Sequence, residues 1–387
     1  KAGQETRPDE NDENSVYAKQ TGHPSYRADD ALWLFPTVYK YISESGDSAF
    51  LDEEILYAND GEKGTVYDHL KRAIDFSMNH LGNHGMPAGL HADWNDCLRL
   101  GKQGESTFVA FQLVYAIKIL RTYAVEKNDT DYIKYLDEIG AKLDTILSAC
   151  WNEDRWIRGY KEDGAIIGQR TDPEASMWLN PQSWPVLSGL GTQEQQIQAM
   201  DSVKEYLDTD LGIKKIHPAM TTDYPTKEEN LTCYNKGCGE NGSVFCHANT
   251  WAIIAECMLK RPKTAWKHYH QLLPMIAQKT AGAERYKAEP YVYSSNIFGP
   301  ESDKFGLANV SWLTGTAAWM YLAATQYLLG VRPTWDGLEI DPCLPEHLLP
   351  AKVTRVFRGC RYEITITKNQ KLLLPHVDGR KQLSVQV

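Results

Sequence analysis

Phe108-Val109-Ala110-Phe111-Gln112-Leu113-Val114-Tyr115-Ala116-Ile117-Lys118-Ile119-Leu120 reads as a helix that is apolar on nearly every side. The next helical text is different. Tyr132, Tyr135, Leu136, Ile139, Leu143, Ile146 and Leu147 make a single stripe with charges between them. A helix apolar all round must be surrounded by protein, whereas a one-striped helix lies on the outside. The same alternation extends in both directions. Upstream, Leu32, Trp33, Leu34, Phe35, Val38, Tyr39 and Ile42 precede the striped Tyr67, Leu70, Ile74, Met78 and Leu81. Downstream, a short apolar run after Asn180 precedes a striped helix over about 193–207. Trp251, Ala252, Ile253, Ile254, Ala255 and Met258 then precede one around 266–276, and a last apolar helix covers about 316–329. Inner helices wrapped by outer ones make a mainly α protein, an α/α toroid. An irregular helical bundle is the alternative.

Three regions fall outside that pattern. Residues 1–28 are polar and acidic (Asp9-Glu10-Asn11-Asp12-Glu13-Asn14) and read as an arm or linker. The segment 211–246 is irregular, with Pro218 and Pro225. Beyond Pro333 the text alternates in the manner of strands, as in Arg361-Tyr362-Glu363-Ile364-Thr365-Ile366-Thr367. The expected division is an arm over 1–28, a helical barrel over 29–332 and a small β region over 333–387.

Composition narrows the function. Asp and Glu number 51 against 41 Lys and Arg, a net charge of −10, and no basic block occurs. Nucleic acid and anionic membrane are therefore poor partners. No leader and no run of about 18 apolar residues is read, so the expectation is a cytoplasmic protein without a membrane span. The eight cysteines include Cys233, Cys238 and Cys246 beside His247, but their spacing does not match a structural zinc site. No metal is expected.

The candidate site residues come just before the apolar helices. Asp93-Trp94-Asn95-Asp96 sits in a glycine-flanked loop ahead of the Phe108 helix. An indole can cover the apolar face of a pyranose while a carboxylate protonates its glycosidic oxygen. Asn180-Pro181-Gln182, Glu240 to His247, and Ser311 to Thr316 stand at comparable positions before later helices. If the inner helices run parallel, these ends share one mouth, which gathers Asp96, Gln182, Glu240, His247 and the Thr314-Gly315 turn. Thr314 is a suitable N-cap, and the glycine lets backbone N–H groups approach an anion such as phosphate.

These residues resemble a known family. Ala92-Asp93-Trp94-Asn95-Asp96-Cys97, Gly239-Glu240-Asn241-Gly242 with Phe245-Cys246-His247-Ala248-Asn249, Ala288-Glu289-Pro290-Tyr291-Val292-Tyr293 and Trp312-Leu313-Thr314-Gly315-Thr316-Ala317-Ala318-Trp319 are similar to the inverting disaccharide phosphorylases of glycoside hydrolase family 94. The likeness runs from about 29 to 362. It implies an (α/α)6 barrel with a C-terminal β layer, and also a preceding β-sandwich and helical linker not found in this sequence. It implies Asp96 as general acid and Trp94 and Asp93 beside the donor sugar. His247, Thr314 and Gly315 become phosphate contacts, and Tyr234 and Glu240 line the acceptor subsite. Gly239 departs from relatives that carry Lys, and no arginine that grips phosphate is found upstream of Asp29.

An inverting hydrolase needs two carboxylates about 6.5–9.5 Å apart, whereas phosphorolysis needs only the acid, because phosphate is itself the nucleophile. The reading is thus phosphorolysis of a β-linked, cellobiose-type glucosyl disaccharide to α-glucose 1-phosphate. Asp96 is expected to be kept protonated by burial and neighbouring carboxylates. Bulky Tyr234 argues against an N-acetyl group on the sugar. Phosphate is a substrate, no cofactor is implied, and a homodimer follows from the resemblance. The alternatives are an α/α-barrel hydrolase using Glu240 as base, or a non-catalytic sugar-binding fragment.

Overall fold

The computed structural model describes residues 27–57, 61–90, 92–101, 103–221, 234–368, 376–377 and 380–386. The expected arm, apart from its last two residues, lies outside them, as do Cys233 and the middle of the irregular segment. After a 3-10 turn (Asp30–Trp33) come α1 (Leu34–Ser45), α2 (Val66–Asn79), α3 (Thr107–Glu126) and α4 (Thr130–Ser148). Then follow α5 (Asn180–Ser188), α6 (Gln193–Tyr206), α7 (Cys246–Met258) and α8 (Pro262–Leu272). The series ends with α9 (Pro274–Ala281), α10 (Ala283–Tyr286) and α11 (Thr316–Leu322), which continues as a π-helix over Ala323–Leu328.

Burial follows the two kinds of helical text. Phe108, Val109, Ala110 and Phe111 are consecutive and all buried, so α3 has no exposed face over that turn. By length and composition α3 could cross a membrane, but most of it is buried within the protein. By contrast α4 buries only Leu136, Ile139, Leu143 and Leu147, one stripe at helical spacing. The apolar helices lie side by side. α3 packs on α1 and α5, α7 packs on α5 and α11, and the striped α4, α6 and α8 each back one of them. Lys40 of α1 donates to Gln326 Oε1 at 2.9 Å, which ties the first apolar helix to the last.

Two boundaries differ from the sequence reading. Pro274 splits the helix expected over 266–276, because proline lacks an N–H and forces Leu273 out of the helical region (ψ 124°). The last apolar helix is not surrounded: Ala317, Ala318 and Tyr321 are exposed along one side of α11. The C-terminal β region is present. Ala351–Phe357 pairs antiparallel with Cys360–Thr367, which pairs in parallel with Arg380–Gln386. Ile364 and Ile366 pack on Cys257 of α7 and Ala265 of α8, so the sheet shares a core with the helices.

Candidate active site

Short strands bring the helix starts together. Val244–Phe245, which leads into α7, pairs with Ser294–Ile297, and that strand pairs with Ala308–Ser311, which leads toward α11. His247 in the first turn of α7 therefore meets Gly315 at the start of α11. A Cβ built on Gly315 would lie 2.9 Å from His247 Cε1, so only glycine allows this approach. On the other side, Glu105–Ser106 pairs with Gly159–Tyr160 and sets Arg158 beside the Asp93 loop.

Trp94 meets Phe245, His247 and Trp251 in edge-to-face contacts, with ring centres 5.1, 5.3 and 4.8 Å away. Below it Trp33, Trp184, Trp251 and Trp319 form a floor of indoles. Their neighbouring centres are 5.5 to 6.2 Å apart. Trp184 and Trp251 are buried, and among the described residues their Nε1 atoms have no hydrogen-bond partner. Asp29 accepts from Trp33 Nε1 at 2.8 Å. Burial, with Asp93 and Asp30 nearby, holds its carboxyl well above the usual range.

The charges face one another across Trp94. Lys215 is fully buried, its Nζ 4.6 Å from the Trp94 ring centre and 4.3 Å from that of Phe245. It lies 3.6 Å from Glu240 Oε2, which also accepts from the Cys97 N–H at 3.5 Å. Burial raises the Glu240 pKa and lowers that of Lys215, while their mutual attraction opposes both shifts. Burial, and secondarily Lys215, brings His247 down to about 4, so its imidazole is neutral at pH 7. Its Nε2 is buried and has no hydrogen-bond partner among the described residues.

Several expectations need correction. Asp96 is not buried: its side chain is 69% exposed and accepts from Arg27 Nε at 2.9 Å. The loop turns it outward because Asp93 is the residue that anchors the loop. Asp93 accepts from Asn95 N (2.8 Å) and Ser106 Oγ (2.7 Å) and pairs with buried Arg158, so its oxygens are engaged within the protein. Gln182 does not open onto the site. It is fully buried, accepting from Trp156 N and donating to the Trp156 and Trp178 carbonyls. Thr314 is not the N-cap; Gly315 is, and Thr314 Oγ1 instead accepts from Thr316 N at 3.2 Å. Tyr234 occupies the space a side chain at Gly239 would need, with its ring 2.5 Å from a Cβ built there. That close approach, together with its φ of +50°, suits glycine at this position.

Comparison with known proteins fits this geometry. The Glycosyl hydrolase 94 superfamily catalytic domain matches residues 4–330. The chain belongs to that family. It is 38% identical over 363 residues to N,N'-diacetylchitobiose phosphorylase of Vibrio proteolyticus, covering 93% of this chain and 44% of that one. It is 34% identical over 353 residues to solabiose phosphorylase of Paenibacillus borealis (90% and 45% covered). It is 28% identical over 382 residues to cellobionic acid phosphorylase of Neurospora crassa (93% and 47% covered). The chain thus spans less than half the length of these curated relatives. Its fold is shared with a GH78 family rhamnosidase of Bacillus sp. GL1, at a TM-score of 0.58 and 13% identity, over 94% of this chain and 33% of that one.

In this family-94 chain the sequence reading missed Lys215 and Arg158, and in the Asn180-Pro181-Gln182 stretch it singled out Gln182 rather than Asn180. Asn180 donates to Asn95 Oδ1 at 3.3 Å, leaving Asn180 Oδ1 and Asn95 Nδ2 open and buried. Lys215 follows another lysine in irregular text, so nothing local marked it as buried. Arg158 carried one signal, a lone cation within the apolar, aromatic run Trp156 to Tyr160.

Proposed function

We propose that this chain is the barrel part of an enzyme for reversible, inverting phosphorolysis of a β-linked glucosyl disaccharide of the cellobiose type. Asp96 donates a proton to the glycosidic oxygen. A phosphate oxygen attacks the anomeric carbon from the opposite face, the bond to the leaving sugar breaks, and α-glucose 1-phosphate forms. Trp94 covers the donor sugar, with Asp93 holding its loop, and Glu240 and Tyr234 face the acceptor sugar. Phosphate is held by His247 and the backbone N–H groups of the adjoining Thr314-Gly315 turn.

The observation that carries this reading is the approach of Gly315 to a neutral, part-buried His247 beside Trp94. It supplies backbone and imidazole N–H donors for an oxyanion, and positioned donors of that kind provide much of the catalysis of such a transfer. The packing of apolar helices supports an (α/α)6 toroid over 29–332, with the β region of 333–387 beside it. A cytoplasmic homodimer using disaccharide and phosphate, without metal or organic cofactor, goes with the reading.

A second substrate, N,N'-diacetylchitobiose, is favoured by the identity to the Vibrio enzyme. A screen of β-linked disaccharides with and without phosphate tests both. Phosphate-dependent release of glucose 1-phosphate is expected from cellobiose. Release of free sugars without phosphate would identify a hydrolase, and turnover of chitobiose alone would transfer the reading to the N-acetyl substrate.

A further inference from the structure

The indole floor has a second side. Toward the C-terminal ends of the apolar helices, away from the Trp94 loop, lies a cavity of about 380 Å³. Lys40 of α1, Tyr115 of α3, Trp184 of α5, Trp319 of α11, Tyr327 and Arg332 are among its walls. Trp184 and Trp319 also belong to the floor of the upper site.

The charges in these walls are unequally compensated. Arg332 pairs with Glu339 at 3.0 Å, and Lys118 donates to the Gly189 carbonyl at 3.1 Å. Among the described residues, Lys40 donates to the neutral amide of Gln326, at 2.9 Å, and forms no ion pair. Burial first, then the Arg332 charge, lowers its pKa to about 8, which still leaves it a cation at pH 7. Lys40 is half-buried, and an ammonium whose hydrogen bond goes to a neutral amide can take an anionic ligand as a charge-assisted partner. Around it stand flat aromatic faces and tyrosyl hydroxyls, the complement of a pyranose ring. The volume falls in the range of small-molecule sites, about 300–1,000 Å³.

We propose that this cavity is a second binding site, for a phosphorylated hexose, with Lys40 on the phosphate and Trp184, Trp319 and Tyr115 around the ring. An occupant there touches the floor of the upper site through Trp184 and Trp319. The site does not depend on phosphorolysis being the reaction above.

Calorimetric titration with glucose 6-phosphate, beside inorganic phosphate alone, tests it. Wild type is expected to bind the sugar phosphate, with His247→Ala binding equally well. Lys40→Met should weaken binding at least about tenfold, the low end for a hydrogen bond to a charged group. Tyr115→Phe, which removes a single hydroxyl, should also weaken it and covers the case in which Lys40→Met does not fold. Absence of binding in wild type overturns the proposal. So does binding that His247→Ala abolishes and Lys40→Met leaves intact, or inorganic phosphate binding as tightly as the sugar phosphate.

Discussion

Lys215 Nζ lies 3.6 Å from Glu240 Oε2, and both groups are almost entirely removed from water. Lys215→Met would leave the Glu240 carboxylate buried without its cation. Breaking such a pair from one side costs roughly 3–5 kcal/mol, mostly the penalty of the charge left behind. Urea denaturation should show that loss. Adding Glu240→Gln should restore most of it, because the stranded charge is then gone. A Lys215→Met protein as stable as wild type would mean that Glu240 takes up a proton at no cost.

The space above His247 is equally sharp. With Ala in place of Gly315, the added methyl would meet His247 Cε1 at 2.9 Å and Nδ1 at 3.2 Å. The imidazole must then turn away from the helix start. If both groups hold the phosphate, Gly315→Ala should impair phosphate use about ten- to a hundredfold, since misplacements of about 1 Å can cost that much. Initial rates at varied phosphate would report it, with the melting temperature nearly unchanged. An unaltered phosphate dependence would remove the turn from the phosphate site.

Acid stability follows from the same histidine. Its pKa is lowered from 6.5 to about 4 in the folded protein. Between those values the unfolded chain takes up a proton that the folded chain refuses, so stability rises with pH across that window. His247 thus contributes fully above about pH 6.5 and loses its contribution as pH falls toward 4. Thermal melting of His247→Asn should fall less steeply than wild type between pH 6.5 and 4. Parallel curves would contradict an imidazole held neutral by its surroundings.

Gln182 distinguishes a structural amide from a binding one. It makes three hydrogen bonds to backbone groups of Trp156 and Trp178 and has no exposed surface. Gln182→Leu leaves the Trp156 N–H and two carbonyls unsatisfied, at about 1–3 kcal/mol for each buried group. The variant should denature at clearly lower urea yet keep its affinity for sugar. Weakened sugar binding with unchanged stability would return Gln182 to the site.

The helical architecture was legible because burial is written into the period of apolar residues: α3 is apolar all round and buried, and α4 is striped and half-exposed. The meeting of His247 and Gly315 was legible, since each stands at the start of an apolar helix. What could not be read was direction within a loop. Asp93 and Asp96 lie three residues apart in one acidic loop, yet Arg158, some sixty residues later, takes Asp93 inward and leaves Asp96 to Arg27. Gln182 was misread for the same reason, because its partners at Trp156 and Trp178 are set by tertiary packing. Lys215 lay in text without periodicity, where neither burial nor partner has a local sign.

Asp96 carries the chemistry of the proposal, and its exposure makes it a clean target. Asp96→Asn preserves shape and an acceptor oxygen for Arg27 Nε, so the fold should survive. It cannot donate a carboxyl proton, and loss of a general acid costs about 10²–10⁴-fold. Phosphorolysis of a disaccharide should fall by at least about 10²-fold, measured as glucose 1-phosphate released. β-Glucosyl fluoride offers the control, because fluoride departs with little help from a proton. If Asp96 is the acid, the variant should lose far less activity on the fluoride than on the disaccharide. Equal losses on both would mean that Asp96 positions the sugar, and no loss on either would place the proton donor elsewhere.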